Sequence, residues 1–576
     1  MWYQPIDPLG NLALSAACAA LPIVLLAALL LSRKVSGTVA SIVALLAALG
    51  VAIVAYGMPA ELAGLSALYG MATGLLPIGW IVLNAVFLYN LSVESGSFAI
   101  VRGSVESVTG DRRLQALLIA FCFGAFLEGA AGFGAPVAIT AGMLVGLGFE
   151  PLYAASICLL ANTAPVAFGA IGIAVVTAGH VSGIDPNVVS RMIGHQLPFI
   201  AAIIPLWLVV LVAGWRGARE VWPAIATAGI AYAVTMFLTA SYLGPTLPDI
   251  FASIVSLACL VGLLSVWRPA REWRFPHEAG AAREAPRAYA PGELVRAWTP
   301  YLLLVIFITN WALPGFQSIV GRTTLAFPFG ALDHAIVAGG AALGVRYAFA
   351  SLAAAGTAIL FAALLSAYLQ RMRPSAVARV ARETVRELAK PLVTIASVVG
   401  FAYVTNYAGM SATLAAVLSG TGVFFPLLSP FIGWLGVFLT GSDTSSNALF
   451  SGVQLRTAQA LGLDPVLTVA ANSSGGVAAK MISPQSLAVA AASAKLAGQE
   501  GELFRRTILH SIGIAALVSI ITFTQAYLVP WMVPAFVSVS AVSAAHFGAG
   551  DAIFLACSLA ALVGLIVFNR AARSGS

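Results

Sequence analysis

Apolar runs of roughly 17 to 25 residues recur along this chain, the length that an α-helix needs to cross the hydrocarbon core of a bilayer. Of the 576 residues, 60% are hydrophobic and only 9% are charged, whereas soluble domains carry about 25% charged residues. Backbone amides in hydrocarbon must be paired within their own segment, and the runs lack the two-residue alternation of barrel strands. The sequence therefore predicts an all-α fold, a polytopic membrane helical bundle.

The apolar runs also predict where most membrane helices lie. They place helices at 12–31, 35–56, 61–91 with a break at Pro77, 196–214, 221–242, 249–267, 298–313, 349–369 and 391–408. A Gly-rich segment at 316–347 has no clear pattern, and we expect it to lie outside the cell.

The positions of the basic residues predict the orientation of the chain. The formal net charge of +7 is concentrated between the apolar runs, at 33–34, 102–113, 216–219, 268–296, 371–390 and 505–506. The positive-inside rule places these clusters in the cytoplasm. We therefore expect a multi-pass protein of the cell (inner) membrane, with its N-terminus outside and its C-terminus in the cytoplasm.

The same pattern argues against several kinds of partner. Basic residues that follow the membrane topology give no reason to expect nucleic-acid binding. The five cysteines lie in apolar runs without CxxC spacing, so neither a disulfide framework nor a metal site is indicated. We expect no cofactor, and the sequence leaves the oligomeric state open.

Residues 121–136 interrupt an apolar stretch with one acid, four glycines and one proline. Inside a helix, glycine costs about 1 kcal/mol and proline about 3 kcal/mol relative to alanine. The segment therefore predicts a broken helix or a re-entrant hairpin. Irregular backbone at membrane depth is tolerated where it is buried in protein or lines a cavity, so the break indicates a site.

The second half of the chain repeats this pattern. Residues 438–447 parallel 126–131, 461–465 (LGLDP) parallel 147–151 (LGFEP), and 471–473 (ANS) parallel 161–163 (ANT). Provided that the short run 410–424 does not cross the membrane, the basic clusters place the starts of the two units on opposite sides, which predicts inverted repeats. Such repeats place the substrate and the coupling ion near the midplane, where half-helix N-termini face an anion.

These patterns divide the chain into seven regions. They are N-terminal membrane helices (1–113), a first transport unit with a broken helix (114–195), membrane helices (196–267), a cytoplasmic linker (268–297), membrane helices with an external segment and a basic cytoplasmic stretch (298–426), a second transport unit with a broken helix (427–504) and C-terminal membrane helices (505–576).

Three charged residues lie inside apolar sequence. On insertion scales, placing an ionisable group in a membrane helix costs about 2.5 to 3.5 kcal/mol of free energy. Glu128 is a candidate proton acceptor, or a hairpin acid that caps backbone amides. Asp443 has the same two interpretations, and its Ser and Thr neighbours suit capping. Lys480 is a candidate ligand for a carboxylate, or the partner of Asp443 or Glu128 in an internal ion pair.

Small and neutral polar residues beside the breaks complete the candidate site. They offer donors and acceptors for a hydroxyl-bearing substrate, or caps for helix ends. The candidates for substrate binding are Gly129, Gly132, Gly134, Asn162, Thr163, Ser442, Ser445, Asn472 and Ser473.

Four strings in these regions resemble the L-lactate permease family: FLEGAAGFGAP (126–136), NTAPVAFGA (162–170), TGSDTSSNALF (440–450) and KMISPQS (480–486). The resemblance covers nearly the whole chain, but not 316–347 or the tail after about 530. It implies a proton-coupled symporter for lactate and related 2-hydroxymonocarboxylates such as glycolate, in a bacterial cytoplasmic membrane. The chain is also distantly similar to ion transporters in which a mobile domain moves against a scaffold.

Other functions remain as alternatives. An intramembrane enzyme with Glu128 and Asp443 as a catalytic pair would need a nucleophile with its base, a metal cluster or a phosphate loop, and the sequence has none of these patterns. A passive anion channel would not need an inverted repeat with a titratable acid at the midplane. A sodium-coupled or uncoupled transporter of another small organic anion stays open, because unwound backbone carbonyls can bind sodium without a distinctive side chain.

Overall fold

The computed structural model describes residues 1–32, 35–132, 134–275, 289–496, 499–538 and 549–571. In these ranges, eleven helices are long and apolar enough to cross a membrane, and a twelfth crossing is possible if the bent pair Pro151–Ala161 and Val166–Ser182 counts as one. The predicted all-α membrane bundle is confirmed.

The first half of the chain is helical almost throughout. Its helices are α1 (Leu12–Ser32), α2 (Gly37–Val54), α3 (Ala60–Thr73), α4 (Trp80–Glu94), α5 (Ser97–Glu106), α6 (Arg112–Gln115), α7 (Gly124–Ala130), α8 (Ala135–Gly146), α9 (Pro151–Ala161), α10 (Gly169–Ser182), α11 (Pro186–Gly194), α12 (Leu197–Glu220), α13 (Trp222–Tyr242) and α14 (Pro248–Val266). A π-helical stretch, Ala116–Phe123, joins α6 to α7.

The second half adds eleven helices and a small β region to the described part of the chain. The helices are α15 (Pro291–Ala312), α16 (Pro314–Val320), α17 (Ala355–Leu369), α18 (Pro374–Ala408), α19 (Met410–Leu418), α20 (Phe425–Thr440), α21 (Asp443–Leu461), α22 (Pro465–Ala479), α23 (Pro484–Ser493), α24 (Glu500–Tyr527) and α25 (Ala549–Ala571). The strands are β1 (Trp2–Tyr3), β2 (Leu325–Pro328), β3 (Ile336–Ala338), β4 (Ala341–Ala342) and β5 (Arg346–Phe349).

The predicted breaks are present. The chain leaves helical geometry at Leu76, just before Pro77. It ends α7 at Ala130 and resumes at Ala135, and it ends α20 at Thr440 and resumes at Asp443. Helix α19 has nine residues, so on its own it is about 13 Å long and too short to cross. Together with α20 it belongs to one apolar stretch, Met410–Thr440, that is long enough to cross. The inversion of the two units therefore stays a prediction.

Three boundaries differ from the prediction. Helix α15 begins at Pro291, inside the predicted linker, because proline is well suited to the first helical position. The rest of that linker, 276–288, lies outside the described residues. Helix α18 is continuous over 35 residues and joins the predicted basic stretch at 371–390 to the predicted span at 391–408, because Pro391 does not interrupt it. The helix predicted at 349–369 starts at Ala355, because 346–349 form β5.

The Gly-rich segment is anchored to the N-terminus. Strand β1 pairs in parallel with β3, which pairs with β4, and β2 pairs antiparallel with β5. Beyond β1, the Gln4 amide donates to the carbonyl oxygens of Asn406 and Tyr407 at 2.7 and 2.9 Å, where α18 ends. The N-terminus and this segment therefore lie on the same side of the bundle, as the predicted orientation requires.

The helices pack around two main hydrophobic cores. One core joins α1–α4 with residues of α15, α17 and α18, and we call this group the framework. The other joins α5–α14 with α20 and α22–α24, and we call this group together with α21 the transport body. Helices α10, α14 and α21 also contribute buried residues to the first core. At the centre of the transport body, the span Arg112–Ala130 is buried along its whole length. The first broken helix therefore has no face toward lipid.

Close contact between α20 and α22 depends on two glycines. A Cβ on Gly433 would collide with the backbone of Asn472, and a Cβ on Gly475 with the backbone of Pro430. Small residues of this kind let membrane helices approach closely.

We predict that Gly433→Ala destabilises the protein by about 1 to 3 kcal/mol, the usual cost of overpacking. The matched control is Gly142→Ala on α8, where the added methyl meets no atom within 4 Å and where alanine favours the helix by up to about 1 kcal/mol. Thermal unfolding of the purified variants in detergent measures the difference. An unfolding midpoint for Gly433→Ala at or above that of Gly142→Ala would contradict this packing.

Candidate functional site

A cavity of about 480 Å³ lies between the framework and the transport body. The framework contributes residues near the predicted cytoplasmic ends of α1 and α2 and in the middle of α18, including Thr38, Lys390 and Thr394. The transport body contributes the broken ends of its helices, with Glu128, Gly132, Gly169, Ala170, Ser442, Asp443, Ser445, Lys480 and Gln485 among the lining residues.

Three helices begin at this cavity. Asp443 starts α21, Pro484 starts α23, and Ile173 starts the right-handed part of α10 after the left-handed residues 170–172. Each N-terminus presents backbone amides and the positive end of its dipole, equivalent to roughly half an elementary charge. The cavity therefore carries a positive potential from backbone alone, which suits an anion.

Glu128 lies near the end of α7 with only 4% of its surface exposed. Its Oε1 packs against Gly169, where a Cβ would lie 2.8 Å from that oxygen. Its Oε2 has no hydrogen-bond partner among the described residues. Asn162 and Lys480 are close enough to act on its charge. The carboxyl is therefore buried, lines the cavity and faces one cation.

Asp443 begins α21, and its carboxyl is held by hydrogen bonds from residues that do not line the cavity. Its Oδ2 accepts hydrogen bonds from Ser473 Oγ at 2.5 Å and from Asn447 Nδ2 at 3.4 Å, while Oδ1 has no partner in the described structure. The side chain that caps α21 is Ser442, which accepts from the amide of Ser445. Asp443 is thus free of the capping role and faces the cavity.

Lys480 follows α22 and lies between the two acids. Its Nζ donates to the carbonyl oxygen of Gly441 at 2.8 Å, at the end of α20. It is near enough to act electrostatically on both Glu128 and Asp443. In the described parts of the chain, no carboxylate oxygen lies within 4 Å of Nζ, so Lys480 interacts with both acids without a close ion pair to either.

The remaining candidates lie around this centre. Gly132, Ser442 and Ser445 line the cavity, whereas Gly129 packs against Asp249 and Gly134 against Val489. Thr163 and Asn162 are buried, and neither the hydroxyl of Thr163 nor the amide group of Asn162 has a hydrogen-bond partner among the described residues. Asn472 donates to Asn447 Oδ1 at 2.9 Å and accepts from Gln454 at 3.2 Å. Asn472 and Ser473 therefore support the cavity wall without lining it.

Asp249 is a buried acid that the sequence reasoning missed. It lies in the first turn of α14 with 2% of its surface exposed, and it is close enough to Glu128 for their charges to interact. The predicted span began at 249, and an acid at the first residue of a span is ordinarily interfacial. An acid inside the apolar stretch 247–266 was the available signal.

The start of α10 contains a left-handed turn that the sequence reasoning did not predict. Ala170, Ile171 and Gly172 have φ values of 45°, 60° and 69°. An L-residue in this conformation costs roughly 1 to 2 kcal/mol. The turn follows Gly169, which packs against Glu128, and its first residue, Ala170, lines the cavity, a place where such strain is typically functional.

The two transport units exchange contacts in a crosswise manner. Helix α8 of the first unit packs on α23 of the second, and α21 of the second unit packs on α10 of the first. All four helices adjoin interruptions beside the cavity. This arrangement agrees with a two-fold relation between the units.

Comparison with known proteins gives the family. The family model described as L-lactate permease matches residues 15–529. The chain belongs to the L-lactate permease family. It is 50% identical over 562 residues to the L-lactate permease of Bacillus subtilis (strain 168), covering 92% of this chain and all of that one.

Two further relatives of similar closeness have been named. The L-lactate permease of Salmonella typhimurium (strain LT2) is 48% identical over 550 residues, covering 93% of this chain and 100% of the relative. The glycolate permease GlcA of Escherichia coli (strain K12) is 47% identical over 549 residues, covering 91% and 98%. Membership of the L-lactate permease family makes this chain a multi-pass membrane transport protein and not an enzyme.

Proposed function

We propose that this protein is a proton-coupled symporter that brings L-lactate and related 2-hydroxymonocarboxylates, such as glycolate, into the cell. The names of its relatives support the substrate class. The single observation that carries the coupling is that one ammonium lies between two buried carboxyls at the cavity.

The chemistry of the cavity suits a small hydroxy acid. Lys480 and the N-termini of α10, α21 and α23 attract the carboxylate, while Ser442, Ser445 and Gln485 offer donors and acceptors to a neighbouring hydroxyl. An ammonium within about 4 Å of a carboxylate contributes roughly 4 kcal/mol at an effective dielectric constant of 20. That contribution offsets part of the hydration that the substrate loses on entry.

Charge balance links the proton to the substrate. Without substrate, one ionised carboxyl of Glu128 and Asp443 balances Lys480, and the other stays protonated, because a dry site disfavours unbalanced charge. A substrate carboxylate that takes over Lys480 leaves the ionised carboxyl without its cation. That group must then bind a proton, so one proton accompanies each anion.

The exposed lining residues of the cavity indicate which side is open. Lys390, at the end of the basic stretch 371–390, is exposed and lines the cavity with Thr38 and Thr394. Because the positive-inside rule assigns this stretch to the cytoplasm, we infer an inward-facing state. The framework and the transport body meet at the cavity, so a movement of one against the other would expose it to the other side.

Uptake into proteoliposomes tests the proposal. An inward proton gradient should drive accumulation of radiolabelled L-lactate, and a proton ionophore should abolish it, while replacing sodium with potassium should have no effect. Accumulation that follows the sodium gradient and survives the ionophore would replace the proton with sodium as the coupling ion. Equilibration without accumulation under either gradient would favour the channel.

We predict that Glu128→Gln abolishes proton-driven accumulation but leaves exchange of internal for external lactate, since exchange needs no net proton transfer. Counterflow and gradient-driven uptake, measured on the same vesicles, separate the two activities. Glu150→Gln is the matched control, because this acid is exposed and its side chain caps no helix. Accumulation by Glu128→Gln at the rate of the control would remove Glu128 from the mechanism.

We predict that Lys480→Met weakens lactate binding at least about tenfold, because the ammonium supplies the main charge for the carboxylate. Lys480→Arg should also bind poorly, since the planar guanidinium needs more space than the ammonium. Lys390→Met should have a smaller effect because its exposed charge is screened by solvent and salt. Equilibrium binding to purified protein measures all three, and near-normal affinity in Lys480→Met would restrict this lysine to capping α20.

A further inference from the structure

Asp249 is buried behind Glu128 and away from the cavity. A Cβ on Gly129 would lie 2.8 Å from the Asp249 Cβ, so α14 packs directly on the residue that follows Glu128. Asp249 does not line the cavity. The two carboxyls therefore occupy one dry region, with Glu128 toward the substrate and Asp249 to its rear.

The contacts of Asp249 leave one oxygen unsatisfied. Tyr232 donates its hydroxyl hydrogen to Oδ1 at 3.1 Å, while Oδ2 has no hydrogen-bond partner among the described residues. Within that part of the chain, no Lys, Arg or His nitrogen lies within 4 Å of this carboxyl. Glu128 Oε2 is unsatisfied in the same way. Buried polar atoms are rarely left without a partner, so the two orphaned oxygens require an explanation.

A single proton shared by Asp249 and Glu128 explains the two unsatisfied oxygens. Two carboxyls that are close together in a dry site cannot both be ionised. A protonated carboxyl has one O–H donor, whereas an ionised one only accepts. With Tyr232 fixing Oδ1 as an acceptor, the proton of Asp249 belongs on Oδ2. The N-terminus of α14 contributes only about half an elementary charge, which does not replace a counter-cation.

We propose that Asp249 is a protonated positioning residue whose O–H donates to the Glu128 carboxylate and so sets how readily Glu128 takes up the coupling proton. This inference rests on the proposed proton coupling. Asp249 stays protonated throughout the cycle, and the proton that moves with the substrate binds Glu128. The other titratable groups near this pair are Tyr232 on α13, Cys122 on the π-helical stretch and Lys480 across the cavity.

Two substitutions of Asp249 distinguish the effect of its hydrogen-bond donor from the effect of its carboxyl charge. Asp249→Asn keeps a donor, because the amide nitrogen replaces the O–H and the amide oxygen still accepts from Tyr232. Asp249→Leu has a similar shape and no donor. A carboxylate that loses its hydrogen-bond donor is less stable relative to its protonated form. The two variants should therefore differ in the pH dependence of transport.

The experiment measures initial rates of lactate uptake by proteoliposomes as a function of external pH at a fixed membrane potential. We expect Asp249→Asn to keep the profile of the wild-type protein, and Asp249→Leu to shift the half-maximal point upward by about one pH unit, which is a tenfold change. Tyr232→Phe, which leaves Oδ1 unpaired, should shift it in the same direction by less. Tyr232→Phe also serves as the second variant if Asp249→Leu does not fold.

The control is Ser256→Ala, two turns along the buried face of α14, where hydrogen bonds to the Ala228 carbonyl oxygen and with Cys122 Sγ are lost but no carboxyl is changed. Its profile should match that of the wild-type protein. An unshifted profile in both Asp249→Leu and Tyr232→Phe would overturn the inference, and so would a shift in Asp249→Asn equal to that in Asp249→Leu. If uptake by the wild-type protein is independent of the proton gradient, the proposed function is overturned instead.

Discussion

Backbone amides and carbonyls in a bilayer must be paired within the protein, and this constraint governs where the broken helices lie. The span Arg112–Ala130 is buried along its whole length, and the interruption after Ala130 meets the ends of α10, α20 and α22 at one cavity. The unpaired amides left by these breaks face a polar space and not lipid. The same groups that would be costly in lipid become donors for an anion.

The placement of charge follows from the same enclosure. Lys480 stands between Glu128 and Asp443, and in a dry site the sum of their charges is constrained more tightly than in water. Neither the lysine nor the acids need to move far for a substrate anion to change that sum. Coupling between an anion and a proton is then a property of charge balance, with Asp249 acting from behind on one of the partners.

Sequence reasoning predicted a large part of this arrangement, because the free-energy cost of a glycine, a proline or a charge inside an apolar run can be assigned to individual residues. Glycine and proline inside an apolar run located the breaks, and charges inside such runs located Glu128, Asp443 and Lys480. It missed Asp249, which lies where a predicted span begins, and the left-handed turn at 170–172, whose first two residues, Ala170 and Ile171, do not favour positive φ. It also placed Asn472 and Ser473 at the substrate, whereas their hydrogen bonds support the wall behind Asp443.

The sequence by itself determined the fold class, the presence of breaks within 121–136 and 438–447, and the family, because hydrophobic length, helix-breaking residues and long motifs are local properties of the chain. Only the tertiary structure decided which polar groups meet. Glu128 and Lys480 are more than 300 residues apart, and Asp249 belongs to a helix outside both predicted transport units. Their juxtaposition depends on how α7, α14 and α22 pack, and packing depends on the shapes of surfaces that distant segments form together.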